Sequence, residues 1–224
     1  MKRLTIALVG GLLATVLAMP SFGADLPRKA QRYYAPAGFS WTGFYVGING
    51  GYGWGTSNWS STATTGNLKP AGWLGGGTIG YNLQTGPWVW GLEGDIDYSA
   101  IKGSGVGTGI CAGLGCETRN RWLATTRGRF GYAVWDRWLP FVTGGAAFGD
   151  IKMSPNNGLS ETKTQVGWTV GGGVEYAFLG PWSAKVEYLY VDLGKPSCSI
   201  ATCGVATDVS FHSNIVRGGI NYRF

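Results

Sequence analysis

From Trp41 to the C-terminus the hydrophobic pattern has a period of two, the signature of strands whose faces meet different surroundings. In WTGFYVGINGGYGW, Phe44, Val46, Ile48, Tyr52 and Trp54 share one face, and Tyr45, Gly47, Asn49, Gly51 and Gly53 share the other. The pattern returns in WVWGLEGDIDY, where Trp88, Trp90, Leu92, Ile96 and Tyr98 alternate with Gly91, Glu93, Asp95 and Asp97. In RWLATTRGRFGY, Trp122, Ala124, Phe130 and Tyr132 oppose Arg121, Arg127, Arg129 and Gly131. Further strands are predicted over about 72–84, 139–150, 165–178, 183–193 and 212–224, which brings the total to eight. In the seventh, Ala184, Val186, Tyr188 and Tyr190 alternate with Lys185 and Glu187. The strand from Leu139 to Asp150 leaves its phase open.

The connections alternate in length. Tight links fall at Thr85-Gly86-Pro87, Trp135-Asp136-Arg137 and Leu179-Gly180-Pro181, whereas the other four run to roughly fourteen to twenty-two residues rich in Gly, Ser, Thr, Asn and Pro. Short turns on one rim and long loops on the other are the plan of a transmembrane barrel. Strands of about eleven residues at ~3.3 Å each, tilted ~40 to 45°, rise roughly 25 Å, the height of an outer-membrane apolar band.

Alternation alone also fits a soluble β-sandwich with its apolar face inward. Trp and Tyr, however, gather near strand ends, at Trp54, Trp73, Trp88, Trp90, Trp122, Trp168, Tyr176 and Tyr222, as interfacial girdles require. The glycines fall largely on the polar face, where a narrow barrel leaves little room. The last strand, SNIVRGGINYRF, puts Asn214, Val216, Gly218, Ile220, Tyr222 and Phe224 on one face and Arg217, Asn221 and Arg223 on the other. Pairing it with the first strand would close the barrel and remove both open edges. The expected fold is all-β, an eight-stranded antiparallel up-and-down transmembrane β-barrel over residues 41–224.

The N-terminus supplies an address. Lys2 and Arg3 precede an apolar run from Leu4 to about Met19, followed by small residues at Ser21 and Gly23, which reads as a signal peptide over residues 1–23, with cleavage after Ala24 as the alternative. Residues 24–40 are basic, carry two prolines and have no sustained period, as expected of a flexible periplasmic arm. Removing Lys2 and Arg3 from the 18 basic residues leaves 16 against 12 acids, a net charge of +4 in place of +6. The bases form no amphipathic basic helix and no aromatic-interleaved motif, so nucleic acid is not an expected partner.

Charge on the polar face fixes what fills the lumen. The periodicity places Glu93, Asp95, Asp97, Glu175 and Glu187 inside with Arg121, Arg127, Arg129, Lys185, Arg217 and Arg223. Eight strands enclose a space that side chains just fill. Near balance of charge in such a space predicts a paired network and a plugged barrel, with a narrow gated conduit as the alternative.

Other candidate chemistry is sparse. Cys111 with Cys116 and Cys198 with Cys203 form two CxxxxC pairs in the second and fourth long loops, and export favours two local disulfides over free thiols or a four-cysteine zinc site. His212, the only histidine, stands at the loop rim, where a rim polar residue is expected and a haem or metal role is the alternative. Gly75 to Gly80 matches GxGxxG in letters but lies inside a strand with no helix after it, so it is no dinucleotide site. No GxSxG elbow accompanies the single histidine, and no catalytic residue, metal or cofactor is expected.

On WTGFYVGINGGYGWG, RWLATTRGRFGYA, LPFVTGGAAFGDI and GGINYRF, the chain resembles the small porin-family outer-membrane proteins of Gram-negative bacteria, eight-stranded barrels of OmpA-like architecture. The terminal alternation through Ile220, Tyr222 and Phe224 resembles the signal read by the barrel-assembly machinery. The resemblance implies an integral protein of the cell outer membrane, monomeric or loosely associated, and the barrel reading places both termini in the periplasm and four loops outside. It implies a structural and surface-contact role among outer-membrane lipids, with environmental or host ligands at the loops. A small-solute channel and ligand capture at the loops are the alternatives, haem being the candidate ligand because some relatives bind it.

Overall fold

In the computed structural model the described residues are 39–60, 65–106, 115–135, 137–155, 160–195, 197–200 and 207–224. The expected signal peptide, the periplasmic arm up to residue 38, Cys111 and Cys203 lie outside them. Eight long strands carry the fold: β1 (Gly43–Ser60), β3 (Ala71–Thr85), β4 (Trp88–Ser99), β7 (Trp122–Tyr132), β8 (Trp138–Pro155), β9 (Glu161–Leu179), β10 (Trp182–Asp192) and β12 (Thr207–Arg223). Short β2 (Thr65–Leu68), β5 (Lys102–Gly105), β6 (Cys116–Arg119) and β11 (Ser197–Cys198) extend the hairpins at the long-loop end.

Each long strand pairs antiparallel with the next, and β1 pairs with β12 in a register that runs from Tyr45 opposite Arg223 to Ser60 opposite Asp208. The barrel is therefore closed, and every long strand finds backbone partners on both sides where lipid would leave them none. Phe224 follows the closing strand with its N–H donated to the Phe44 carbonyl at 2.9 Å. The tight turns sit at one rim. Gly180, at φ +50°, takes the left-handed conformation that the β9–β10 turn requires, a region costly for other residues.

The facing of the strands follows the alternation. Ile48, Leu92, Ile96 and Val186 point outward and are exposed, while Arg127, Glu187 and Arg217 are buried in the lumen. Ring contacts mark two belts on the outer surface. Trp88 with Tyr132, Trp138 with Tyr176 and Trp182 with Tyr222 lie near the short turns, and Tyr52 with Trp73 and Trp168 with Tyr190 lie toward the long loops. Indole and phenol side chains favour the two membrane–water interfaces.

Beyond the loop-side belt the pattern inverts. Ile151, Met153, Val209 and Phe211 point inward and are buried, while Lys152, Ser154, Asp208 and Ser210 point outward. With water outside in place of lipid, the favourable position for apolar groups moves to the inside. The long loops are consequently in part strand: β1, β8, β9 and β12 continue past the belt, and inward side chains of β1, β8 and β12 join one apolar cluster.

The same inversion settles the phase of β8. Leu139, Phe141, Thr143, Ala147, Ile151 and Met153 point inward, so its lumen face is apolar at both ends.

One expected lumen residue lies outside. Arg119 pairs with Lys152, yet Leu123 pairs with Gly149, so the strand gains one residue between β6 and β7. Asp150 Oδ1 accepts the N–H of both Arg121, at 2.8 Å, and Trp122, at 3.1 Å. This bulge turns Arg121 outward, where it is exposed, and corrects its assignment to the interior.

Candidate functional site

The lumen is layered. At the short-turn end Trp41, Val89, Leu139 and Ala177 form a buried cluster against which Phe39 and Ala133 pack. The segment before β1 thus folds across the lumen mouth, with Trp41 N–H donated to Gln84 Oε1 at 2.7 Å. Arg223 lies over the rings of both Phe39 and Trp41, 4.7 Å from each centroid, and joins this plug to the charged layer above it.

In that layer, opposite charges meet both between neighbouring strands and across the lumen. Arg127 from β7 contacts Asp95 Oδ2 at 2.8 Å and Glu187 Oε2 at 3.0 Å, and also holds Glu93. Arg217 from β12 contacts Asp95 Oδ1 at 2.8 Å, Asp97 Oδ2 at 2.6 Å and Glu187 Oε1 at 2.8 Å. Lys185 from β10 bridges Glu93 Oε2 at 2.8 Å and Glu187 Oε1 at 3.1 Å. A second node nearer the short turns joins Glu175 to Arg129, with Arg223 Nη2 at 3.9 Å and Asn221 Nδ2 donating at 3.1 Å. The Arg129 guanidinium stacks 3.8 Å from the centre of the Phe141 ring.

All ten residues expected inside apart from Arg121 are buried, which leaves five acids facing five bases. Such groups are tolerable in a low-dielectric space only when each is paired, because removing one partner strands a charge. Neutral partners add to the bonding. Tyr45 Oη donates to Glu93 Oε2 at 2.7 Å, Thr125 Oγ1 to Asp95 Oδ2 at 2.8 Å, and Ser183 to Glu175. The period had put Tyr45 on the polar face; its role as a hydrogen-bond donor to a carboxylate was not read from it.

At the level of Asp95 and Asp97, Asn49 donates to Thr78 Oγ1 at 3.0 Å, and beyond the ions the second apolar cluster begins with Leu74, Ile101, Leu123, Leu189 and Ile215. The charged layer is thus bounded by apolar side chains on both sides. The loop-side part of this plug, with Trp59, Val209 and Phe211, lies in segments whose length and composition predict loops, and the rest, such as Leu123 and Leu189, sits at inward strand positions.

The loop end carries the remaining candidates. Cys116 and Cys198 are buried in the upper cluster, and there is no free cysteine among the described residues. His212 points outward with Nδ1 3.5 Å from Asp192 Oδ2. Among the described residues no group of three or more His, Cys, Asp and Glu is placed to hold a metal ion. Glu161 Oε2 accepts the Ser199 N–H at 2.9 Å, a bond that holds its carboxyl below the usual range and ties β9 to the loop before β12.

Comparison with known proteins agrees with this architecture. Residues 15–224 match the family described as outer membrane protein beta-barrel domain. The 31 kDa outer-membrane immunogenic protein of Brucella melitensis is 34% identical over 251 residues, covering 100% of both chains. The 25 kDa outer-membrane immunogenic protein of Brucella abortus is 34% identical over 212 residues, 94% of this chain and 92% of its own. Among solved structures, Neisserial surface protein A superposes with a TM-score of 0.50 at 15% identity over 82% of this chain and 98% of its own, a likeness of fold.

Proposed function

The chain belongs to the outer-membrane β-barrel protein family, and from that premise we propose that it is a structural and surface-contact protein of the outer membrane rather than an enzyme or an open pore. The observation that carries the reading is the lumen: a paired charged layer between two apolar plugs offers no continuous polar route, so the working surfaces are the lipid-facing wall and the loop end. In this reading the protein is exported by residues 1–23, assembled through its C-terminal strand by the barrel-assembly machinery, and sits as a monomer among outer-membrane lipids. The short turns face the periplasm and the long loops face outward, each of two loops closed by a local disulfide, Cys111–Cys116 and Cys198–Cys203.

The reading is tested in a strain lacking the protein, challenged with detergent and with a dye that the intact envelope excludes. Sensitivity that the full-length chain restores supports it. An intact barrier together with impaired uptake of a small solute would favour a channel instead.

A further inference from the structure

Just above the loop-side aromatic belt, one sector of the outer wall carries a row of cations. Lys102 stands opposite Arg119 across β5 and β6, and Arg119 stands opposite Lys152 across β6 and β8. All three face outward, and the bulge turns Arg121 outward beside them. Like charges directly opposite one another destabilise a sheet. None of their side chains forms an ion pair: among the described residues, the ion pairs outside the lumen are Lys163–Glu161 and His212–Asp192, and the Asp150 carboxylate at the bulge is occupied by the backbone N–H groups of Arg121 and Trp122. Glu117, a second acid on the same outward face, stands opposite Ser104 and Ser154. Around the rest of the rim the corresponding outward positions hold Thr56, Asn58, Asp192, Ser210 and His212, so the basic sector is one-sided.

A second feature lies directly below. Tyr98 and Trp122 pair across β4 and β7 at the belt, and beneath them a shallow groove on the lipid face runs along Gly77, Gly94 and Ala124 between the side chains of Ile79 and Ile96. An apolar lane on the lipid face, capped at headgroup height by unpaired cations, matches an amphiphile with acyl chains below and phosphate above.

We propose that Lys102, Arg119, Arg121 and Lys152 bind the phosphate groups of a phosphorylated glycolipid in the outer leaflet, whose acyl chain lies in the groove between β3, β4 and β7. Cations near an anionic membrane surface attract it by electrostatics that fall off within a Debye length. The cations therefore lose their mutual repulsion when the headgroup docks, and one face of the barrel gains an annular lipid held more tightly than its neighbours.

The test is native mass spectrometry of the refolded full chain in detergent, titrated with diphosphoryl lipid A, monophosphoryl lipid A and inorganic pyrophosphate. Heat-modified mobility confirms that each protein is folded. The wild type retains diphosphoryl lipid A over the monophosphoryl form, and Arg119→Gln with Lys152→Gln weakens binding about 25-fold, at roughly fivefold for each cation. Lys195→Gln, on the loop after β10, leaves binding unchanged. Should the first pair fail to fold, Lys102→Gln with Arg121→Gln, both at exposed positions, gives the same reading. Wild-type binding in a folded double variant overturns the proposal, as does pyrophosphate binding as tightly as the lipid, or a sulfated polysaccharide that binds the patch while lipid A does not.

Discussion

Arg217 Nη1 lies 2.6 Å from Asp97 Oδ2, although 120 residues separate the two in sequence and neither of their strands neighbours the other in the barrel. The contact crosses the lumen. With the contact to Asp95, it ties β12 to β4 where an open barrel would hold water, while Glu187 on neighbouring β10 holds the guanidinium from the side.

Arg127 is the most instructive residue to remove, because Glu93, Asp95 and Glu187 all bond to it. Arg127→Leu is expected to destabilise the barrel by about 3 to 5 kcal/mol through stranded buried carboxylates. Urea unfolding in detergent micelles, followed by heat-modified mobility, reads the loss. Unchanged stability would mean that the carboxylates are not held by Arg127.

The lipid-facing wall makes the converse prediction. Leu92 lies outward near the middle of the apolar band and is 70% exposed on the isolated chain. Leu92→Arg is expected to cost about 2 to 4 kcal/mol in a bilayer, whereas Trp54→Arg near the loop-side belt costs about 0 to 1 kcal/mol from the charge itself. Equal costs in refolding titrations into vesicles would place the membrane elsewhere on the barrel.

The cysteines give a test by mass. With all four in local disulfides, a thiol-alkylating reagent adds nothing to the unfolded, unreduced protein and four adducts after reduction. Labelling of all four without reductant would exclude both bridges. Each closes a short loop, so reduction is expected to leave unfolding of the barrel nearly unchanged and to increase proteolysis at the loops.

The barrel and most of its lumen charges could be read from the sequence because a single period governs the membrane-spanning part. Phe44 and Tyr45 face opposite ways for the same reason as Leu92 and Glu93. What escaped reading lies where that rule changes. Arg121 keeps the parity of Arg127 in sequence, but the extra residue at the bulge breaks the count, as the register shift and the twofold acceptance by Asp150 reveal. The β8 strand shows apolar residues on both faces because Val142 meets lipid while Leu139 and Ile151 fill plugs. Past the loop-side belt, apolar groups move inward, so Val209 and Phe211 carry the opposite meaning from Val216 and Ile220 on the same strand.

The account stands or falls on whether the lumen is sealed, and planar-bilayer conductance of the refolded, heat-modifiable protein measures that most directly. The layered plugs and the ion pairs between them predict no current steps above the bare membrane. Reproducible steps from folded protein, altered in size when Arg127 or Asp95 is replaced, would contradict the sealed barrel and make the charged layer the wall of a channel.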